Sequence, residues 1–395
     1  MTPPNKTMPP MKRSDYKRLG NYIREVDLRN RDLAVTEPMG ININKYFMPS
    51  VANIIGTDLS KYKIVGKRQF ACNLMHVGRD GKIPIAVLQH DVAIIVSPAY
   101  LVFEIIDDTA LIPEYLMMWF RRSEFDRNAW FYTDADVRGG LSKQALFDMT
   151  LPVPSIEHQR AIVAEYEVLS RRINLNRSTI AQLEATAQTL YRKMFVDDID
   201  PEHLPSGWRM GTIKDLGNVI GGATPQTGNA SFWCANGIPW LSPADLSKQG
   251  MKFISKGAKD ITELGYKSCS TKLLPVDSVL FSSRAPIGLM AINTQELCTN
   301  QGFKSIVPHP NIGTAYVYYY LNSIKDKIAE ENEGSTFNEV SGQNLQAYSA
   351  IIPPDNLCAI FSKKITPISR VQNNIEQEIK LLTELQSLLL AKMGQ

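Results

Sequence analysis

The chain spells KRLGNYI at Lys17–Ile23 and KDLGNVI at Lys214–Ile220, five of seven positions identical. An internal repeat constrains a fold more tightly than any bulk property, because related segments take up related local structures. The two halves continue to match in order. DLSK stands at Asp58–Lys61 and again at Asp245–Lys248. Apolar, strand-like stretches follow: KIPIAVLQHDVAIIV after Arg79 and SVLFSSRAPIGLMAI around Arg284. Each gives way to an aromatic, helix-like run, PEYLMMWFRRSEF from Pro113 and TAYVYYYLNSIKDKI from Thr314. LSKQAL (Leu141–Leu146) answers VSGQNL (Val340–Leu345). Last, Ser170–Met194 and Ser369–Met393 align without a gap. They coincide at Ser170/Ser369, Arg171/Arg370, Asn174/Asn373, Ile180/Ile379, Leu183/Leu382, Leu190/Leu389, Lys193/Lys392 and Met194/Met393. The spacing between matches drifts, which places insertions in the loops of one half. A collinear series of this kind reads as a duplication.

The gapless segments have a helical pattern. Leu169, Ile173, Ile180, Leu183, Ala187, Leu190 and Met194 form one apolar stripe, as do Ile368, Ile375, Ile379, Leu382, Leu389 and Met393. Ser155 and Asp355, each after a proline, are the expected N-caps. At 1.5 Å per residue, roughly 38 residues make a rod of about 57 Å. The expected partner of such a rod is its own duplicate, antiparallel, in a coiled coil. The alternative is that each helix packs on its neighbouring domain as an ordinary core helix. Pro367 is expected to kink or delay the second rod near its start. Turn signals such as GRDGK, GGATPQTG and NEGS interrupt the strand-like stretches, which argues for an α+β fold against a doubly wound βαβ sheet.

At 395 residues the chain has room for two or three domains. Its hydrophobic fraction of 44% and charged fraction of 21% are those of a folded soluble protein. A net charge of +3 neither demands nor excludes nucleic acid, since a basic face can be offset elsewhere. The five cysteines form no CxxC pair and the five histidines no metal-ligand spacing, so neither a disulfide framework nor a zinc site is expected. A reducing cytoplasm fits that pattern. MTPPNKTMPP lacks an apolar signal core and reads as a flexible tail. No run approaches a membrane span.

Catalytic signatures are missing together. There is no GxxxxGK[ST] loop and no GxGxxG between strand and helix. GxSxG, HExxH and kinase signatures are absent, and IIPPDN is not an amino-methyltransferase motif. The acids are dispersed, so no acid–base pair stands out. In a chain of two similar halves this argues for recognition. Two diverged reading heads on a rigid rod suit two unlike DNA segments with an unread gap between them.

Polar loops are the expected contact surfaces. ATPQTGN (Ala223–Asn229), TNQG (Thr299–Gly302) and EGSTFNEVSGQN (Glu333–Asn344) have that composition, and DADVRGGLSKQ (Asp134–Gln144) holds the equivalent place in the first half. Candidate DNA contacts are therefore Thr224, Thr227, Asn300, Gln301, Ser335, Thr336 and Gln343, with Arg138 and Lys143 in the first half. Arg79 and Arg284 lie in or beside strand-like stretches, where an Arg can bond guanine O6 and N7. The competing assignment for each is a solvated surface group or a turn residue. Trp240 could stack on a base, or be a buried core tryptophan.

LPSGWRMGTIKDLGNVIGGATPQTGNASFW, followed by GIPWLSPADLS, resembles the opening of a target recognition domain in specificity subunits of type I restriction–modification enzymes. SVLFSSRAPIGLMAI, CTNQGFKSIVP and LPVPSIEHQRAIVAEY continue the resemblance. RQFACNLMHVGRDGKIPIAV, IVSPAYLVFEI and DVRGGLSKQALFDMTLPVP resemble another variety of that domain. The similarity reaches along nearly the whole chain, leaving out only the N-terminal tail.

The resemblance implies a fold and a division of the chain. The fold is α+β: two globular recognition domains alternating with two long helices that pair as an antiparallel coiled coil, with an internal pseudo-two-fold repeat. The divisions are a tail over 1–15, recognition domain 1 over 16–154, spacer helix 1 over 155–197, recognition domain 2 over 198–353 and spacer helix 2 over 354–395. The resemblance further implies a subunit without catalytic activity, in which each domain reads one half of an asymmetric bipartite double-stranded DNA site. Two methyltransferase (modification) subunits dock on it, bind S-adenosylmethionine and methylate adenine. Restriction/translocase subunits, which use ATP, join them to cleave unmethylated DNA. No cofactor, metal or membrane contact is expected of this chain itself. Docking and helix pairing are assigned to Glu157, Gln159, Leu183, Leu190, Leu382 and Leu389. PPDNLCAIFSKKITP lacks the Glu-x-Gln of SIEHQ, so docking at the second helix differs from docking around Glu157–Gln159. Two other readings stay open: a coiled-coil scaffold that binds protein only, and a self-contained DNA methyltransferase or nuclease.

Overall fold

The structure, a computed structural model, describes residues 16–50, 56–75, 77–133, 139–332 and 339–394. The expected tail over 1–15 lies outside the described residues, as do Arg138, Ser335 and Thr336. The chain is mixed α+β and divides into two compact units, residues 1–174 with 381–395, and residues 175–380. The division falls inside both long helices, Ile156–Phe195 and Asp355–Lys392, so each unit contains a part of each.

In the first unit a four-stranded antiparallel sheet runs in the order Ile23–Glu25, Leu101–Ile105, Phe70–Cys72, Ile85–Val87. Phe70 and Phe103 face each other across the central pair and stack with centroids 5.0 Å apart. Phe120 meets both rings edge-on, at 5.8 and 6.3 Å. Such edge-to-face contacts add to the burial of large aromatic surfaces. Phe120 ends the helix Pro113–Phe120, and Ser123–Phe131 follows it, so the run PEYLMMWFRRSEF is two helices broken at Arg121–Arg122. The core also holds a buried ion pair, Lys45–Asp126 at 2.7 Å. Asp126 further accepts the Ile83 N–H at 3.2 Å, and the Lys45 ammonium donates to the Phe120 carbonyl. Only a pair with its remaining polar atoms satisfied is tolerated at such depth.

The second unit has a five-stranded sheet, ordered Gly217–Gly221, Lys304–Pro308, Val279–Ser283, Ile287–Asn293, Phe253–Ile254. A four-stranded sheet, ordered Trp233–Cys234, Lys259–Ile261, Ile238–Leu241, Cys298–Thr299, packs a separate small core around Trp240 and Ile261. Helix Gly313–Asn332 buries Tyr316, Tyr319 and Tyr320. The Tyr316 hydroxyl reaches the Ile351 carbonyl at 2.6 Å, which satisfies its polar end.

Both LGN stretches sit beside a two-stranded ladder that leads into a long helix. Tyr16–Arg18 pairs with Thr150–Pro152, and Arg209–Thr212 pairs with Ser349–Ile352. A Cβ on Gly20 would lie 3.0 Å from the Phe147 carbonyl oxygen, and one on Gly217 would lie 2.4 Å from the Val307 oxygen. Both glycines therefore permit close backbone approach. The surrounding turns differ: Leu19–Asn21 is a 3₁₀ turn, whereas Ile213–Leu216 is an α-turn closed by a Thr212/Asp215 capping box. DLSK also has two roles. Asp58 caps a 3₁₀ turn, while Asp245 is the third helical residue of Pro243–Gln249 and closes a box with Ser242.

The second long helix runs unbroken from Asp355 through Pro367, so Pro367 does not delay its start. Proline removes the donor that would reach the Lys363 carbonyl. Pro367 and Lys363 are both exposed, so the site lies on the outer side of the helix. Asp355 is the first helical residue and not the N-cap: the Pro354 carbonyl accepts from Leu357 and Cys358 at 3.0 and 3.3 Å. An acid in the first turn is favourable there through the helix dipole. Ser155 does cap the first helix, its hydroxyl accepting from His158 N–H at 3.4 Å.

Candidate nucleic-acid interface

In the second unit, backbone bonds draw distant loops together. Ala223 N–H donates to Thr299 O at 2.9 Å, Ser283 N–H to Gly302 O at 2.8 Å and Val340 N–H to Ser283 O at 3.0 Å. A Cβ on Gly222 would stand 2.2 Å from both Thr299 O and Asn300 O, so only glycine permits this crossing. Asn300 turns its side chain inward and accepts the Gly302 N–H at 2.9 Å.

The side chains of this cluster centre on Glu339. Arg284 Nη1 lies 3.2 Å from one of its oxygens and Lys304 Nζ 3.1 Å from the other. Lys304 also donates to Gln301 O at 3.2 Å, and the Thr224 hydroxyl donates to Gln301 Oε1. Gln343 is exposed on the first turn of Gly342–Ala347, which begins beside the Lys304 side chain. Thr227 is exposed on the neighbouring turn Gln226–Asn229. Thr224, Arg284, Asn300 and Gln301 are thus brought together, though they come from loops far apart in sequence.

Among the described residues two cations share one carboxylate here, which gives the cluster a net positive charge. The Arg284 guanidinium is partly exposed and keeps further N–H donors available. A half-exposed ion pair is weak, so a phosphate or guanine can compete for it. Hydroxyl and amide groups beside it can contact phosphate oxygens and base edges. Trp240 is 8% exposed, donates from Nε1 to Ala223 O at 3.0 Å and meets Trp233 edge-on at 5.1 Å, so it is a core residue that supports the loop.

In the first unit Arg79 lies on the single turn Val77–Asp80 and is bidentate to Asp80, at 2.7 and 3.1 Å. Gly78 N–H donates to Gly139 O at 2.7 Å, which brings the turn that carries Arg79 against Gly139. Lys143 bonds Glu25 at 2.6 Å, on the edge strand of the sheet. Trp130, Phe131 and Tyr132 are exposed at the end of helix Ser123–Phe131, at 54%, 75% and 56%. The Trp130 Nε1–H is fixed on Gly78 O at 3.1 Å. These aromatics, Lys304 and Glu339 were not singled out from sequence. Three adjacent aromatics immediately before a polar loop were the available signal.

The positions assigned to docking separate. Glu157 is exposed. Gln159 is fully buried, donating to Ala110 O and Pro154 O at 2.8 and 2.9 Å and accepting from Ile112 N–H at 3.1 Å. Leu183, Leu190, Leu382 and Leu389 are half-buried; Leu190 packs on the second unit's core and Leu389 on the first's. The outward row on the last part of the second helix is Leu381, Leu385 and Leu388, each at least half exposed. Within the first unit Gln386 donates to Ser170 at 2.7 Å. Within the second, Gln372 bonds Glu184 at 3.0 Å and Phe361 packs on Phe195 at 5.1 Å. As one helix ascends through these second-unit contacts the other descends.

Among the described residues no three metal-ligating side chains converge, and no helix is long and apolar enough to cross a membrane. What the fold and site define is an α+β chain of two compact units, with a cation-bearing polar loop cluster in the second. Residues 205–385 match the family described as "Type I restriction modification DNA specificity domain". The chain is 38% identical over 151 residues to the type I restriction enzyme MjaIX specificity subunit of Methanocaldococcus jannaschii, a match spanning 38% of this chain and 35% of that protein. It is 24% identical over 375 residues to the HindI specificity subunit of Haemophilus influenzae, spanning 76% of this chain and 80% of that one. Its fold is similar to the crystal structure of a type I restriction–modification S subunit from M. genitalium, with a TM-score of 0.58 and 13% identity over 96% of this chain and 95% of that one. Residues 205–385 thus match a type I restriction–modification DNA specificity domain, and the chain is similar to specificity subunits of such enzymes over most of its length.

Proposed function

We propose that this chain is the non-catalytic, sequence-reading subunit of a type I system and that it reads an asymmetric bipartite site on double-stranded DNA. Residues 16–154 and 198–353 are the two reading heads, and the paired long helices are the spacer between them. Two modification subunits dock on the helices and neighbouring surfaces, bring S-adenosylmethionine and methylate adenine. Restriction subunits with their ATP join that core, and the whole acts in the cytoplasm. The observation that carries the reading is the loop cluster around Arg284, Lys304 and Glu339, which lies inside the family-matched residues and supplies donors suited to phosphates and base edges.

Salt dependence separates this reading from a protein-only scaffold. Retention of duplex DNA by the full chain with its modification subunit is expected to fall steeply as salt rises, because each phosphate contact releases counterions. Retention that is absent, or indifferent to salt, would favour the scaffold.

A further inference from the structure

The second unit also holds a polar network apart from the loop cluster around Glu339. Lys252 leads into the edge strand Phe253–Ile254, and its side chain is only 8% exposed. Its ammonium bonds Glu184 Oε2 at 2.9 Å, the Tyr319 hydroxyl at 2.7 Å and Gln372 Oε1 at 3.4 Å. It also stands 4.6 Å from the ring centres of Tyr318 and Tyr319. Glu376 accepts the backbone N–H groups of Lys252 and Phe253, both at 2.9 Å. Gln372 and Glu376 are almost wholly buried. One segment of the domain therefore grips the first long helix through Glu184 and the second through Gln372 and Glu376, all within one unit.

The charges are poised against burial. Burial pushes the Glu376 carboxyl above the ordinary glutamate range, and the backbone donors and Lys252 only partly reverse this. Burial pushes Glu184 the same way, but Lys252, Gln372 and Tyr319 hold it below that range.

Apolar stripes alone fix an axial position poorly, because apolar side chains recur every three to four residues and a slide exchanges one contact for another. A polar node behaves differently. A slide of one residue is about 1.5 Å with a turn of about 100°. That takes the carboxylate off Lys252 and leaves a buried charge unpaired, which is strongly destabilising. Single polar residues in an apolar helix seam specify register in this way.

We propose that Lys252, with Glu184, Gln372 and Glu376, locks the second recognition domain at one position along the helix pair and so sets the number of base pairs between the two half-sites. The proposal rests on the bipartite reading above. Lys252 is a positioning residue and touches no base. One base pair rises about 3.4 Å and one helical turn 5.4 Å, so a domain free to slip by a turn would accept neighbouring gaps.

The test uses the full chain co-expressed with its modification subunit in a methylation-free host, with N6-methyladenine mapped across the host genome. Wild type is expected to modify one gap length. Lys252→Met with Glu184→Met replaces the ion pair by apolar groups of similar length, a change that buried pairs tolerate without loss of folding. This variant is expected to keep both half-site sequences while methylation at gaps one base pair longer or shorter rises by about tenfold, equivalent to ~1.4 kcal/mol of discrimination. Lys252→Arg, which retains the charge, is expected to keep the single gap. An apolar variant that assembles and still modifies only the wild-type gap overturns the proposal. Should that variant fail to assemble, Glu376→Gln carries the same comparison: relaxed spacing supports the lock, and unchanged spacing overturns it. A wild-type complex that binds S-adenosylmethionine yet modifies no gapped motif defeats the bipartite reading itself.

Discussion

Gln159 has a long amide side chain and is completely buried, so its polar atoms need protein partners. Its oxygen and nitrogen are used on Ile112, Ala110 and Pro154, which staple the start of the first long helix to the loop before helix Pro113–Phe120. In the second half Asp355 does a similar job with one bond, from Asn311 at 3.0 Å. Replacing Gln159 by Leu leaves buried backbone groups unpaired, at a cost of about 1–3 kcal/mol for each such group. Urea denaturation of Gln159→Leu is therefore expected to show a lower midpoint, and an unchanged midpoint would show the bonds are dispensable. The sequence held the clue that Gln159 is inward: Ile156, Gln159, Val163 and Tyr166 step by three and four along the apolar side. Which polar residue on such a stripe has partners depends on loops distant in sequence, and that was not legible. The same holds for Arg284, whose strand neighbourhood was visible but whose partner Glu339 was not.

Among the elements, the long helices were the most legible, because their apolar stripes extend over many turns. Their extents, Ile156–Phe195 and Asp355–Lys392, follow that pattern closely. The effect of Pro367 was not legible, since it depends on which side of the helix faces water. The capping box at Thr212 and Asp215 shows a titratable element. The Arg209 guanidinium bonded to Asp215, at 2.8 Å, and the Thr212 N–H hold this carboxyl below its ordinary value of 3.8. Near that value the folded chain binds fewer protons here than the unfolded chain. The stabilisation is therefore complete above 3.8 and is lost as pH falls through the lower folded value. Asp215→Asn is expected to melt below wild type at neutral pH and to converge with it in strong acid. Parallel melting curves at every pH would contradict that assignment.

For the whole molecule, the α+β class and the likeness to type I specificity subunits were legible because the signal was spread over many collinear segments and did not depend on any one residue. The candidate recognition surface was legible only as a set of loops. Its geometry depends on crossings such as Gly222 over Thr299 and Asn300, which no local pattern announces. In the proposed function two diverged heads read two unlike half-sites at a fixed separation. The most direct measurement maps N6-methyladenine in a methylation-free host expressing this chain with its modification subunit, for wild type and Arg284→Ala. Wild type is expected to give one gapped motif with unlike halves, and the variant to lose or relax one half only. Equal damage to both halves would make Arg284 a general phosphate or structural contact. A continuous motif, or no methylation from a complex that assembles and binds S-adenosylmethionine, would contradict bipartite reading by two heads.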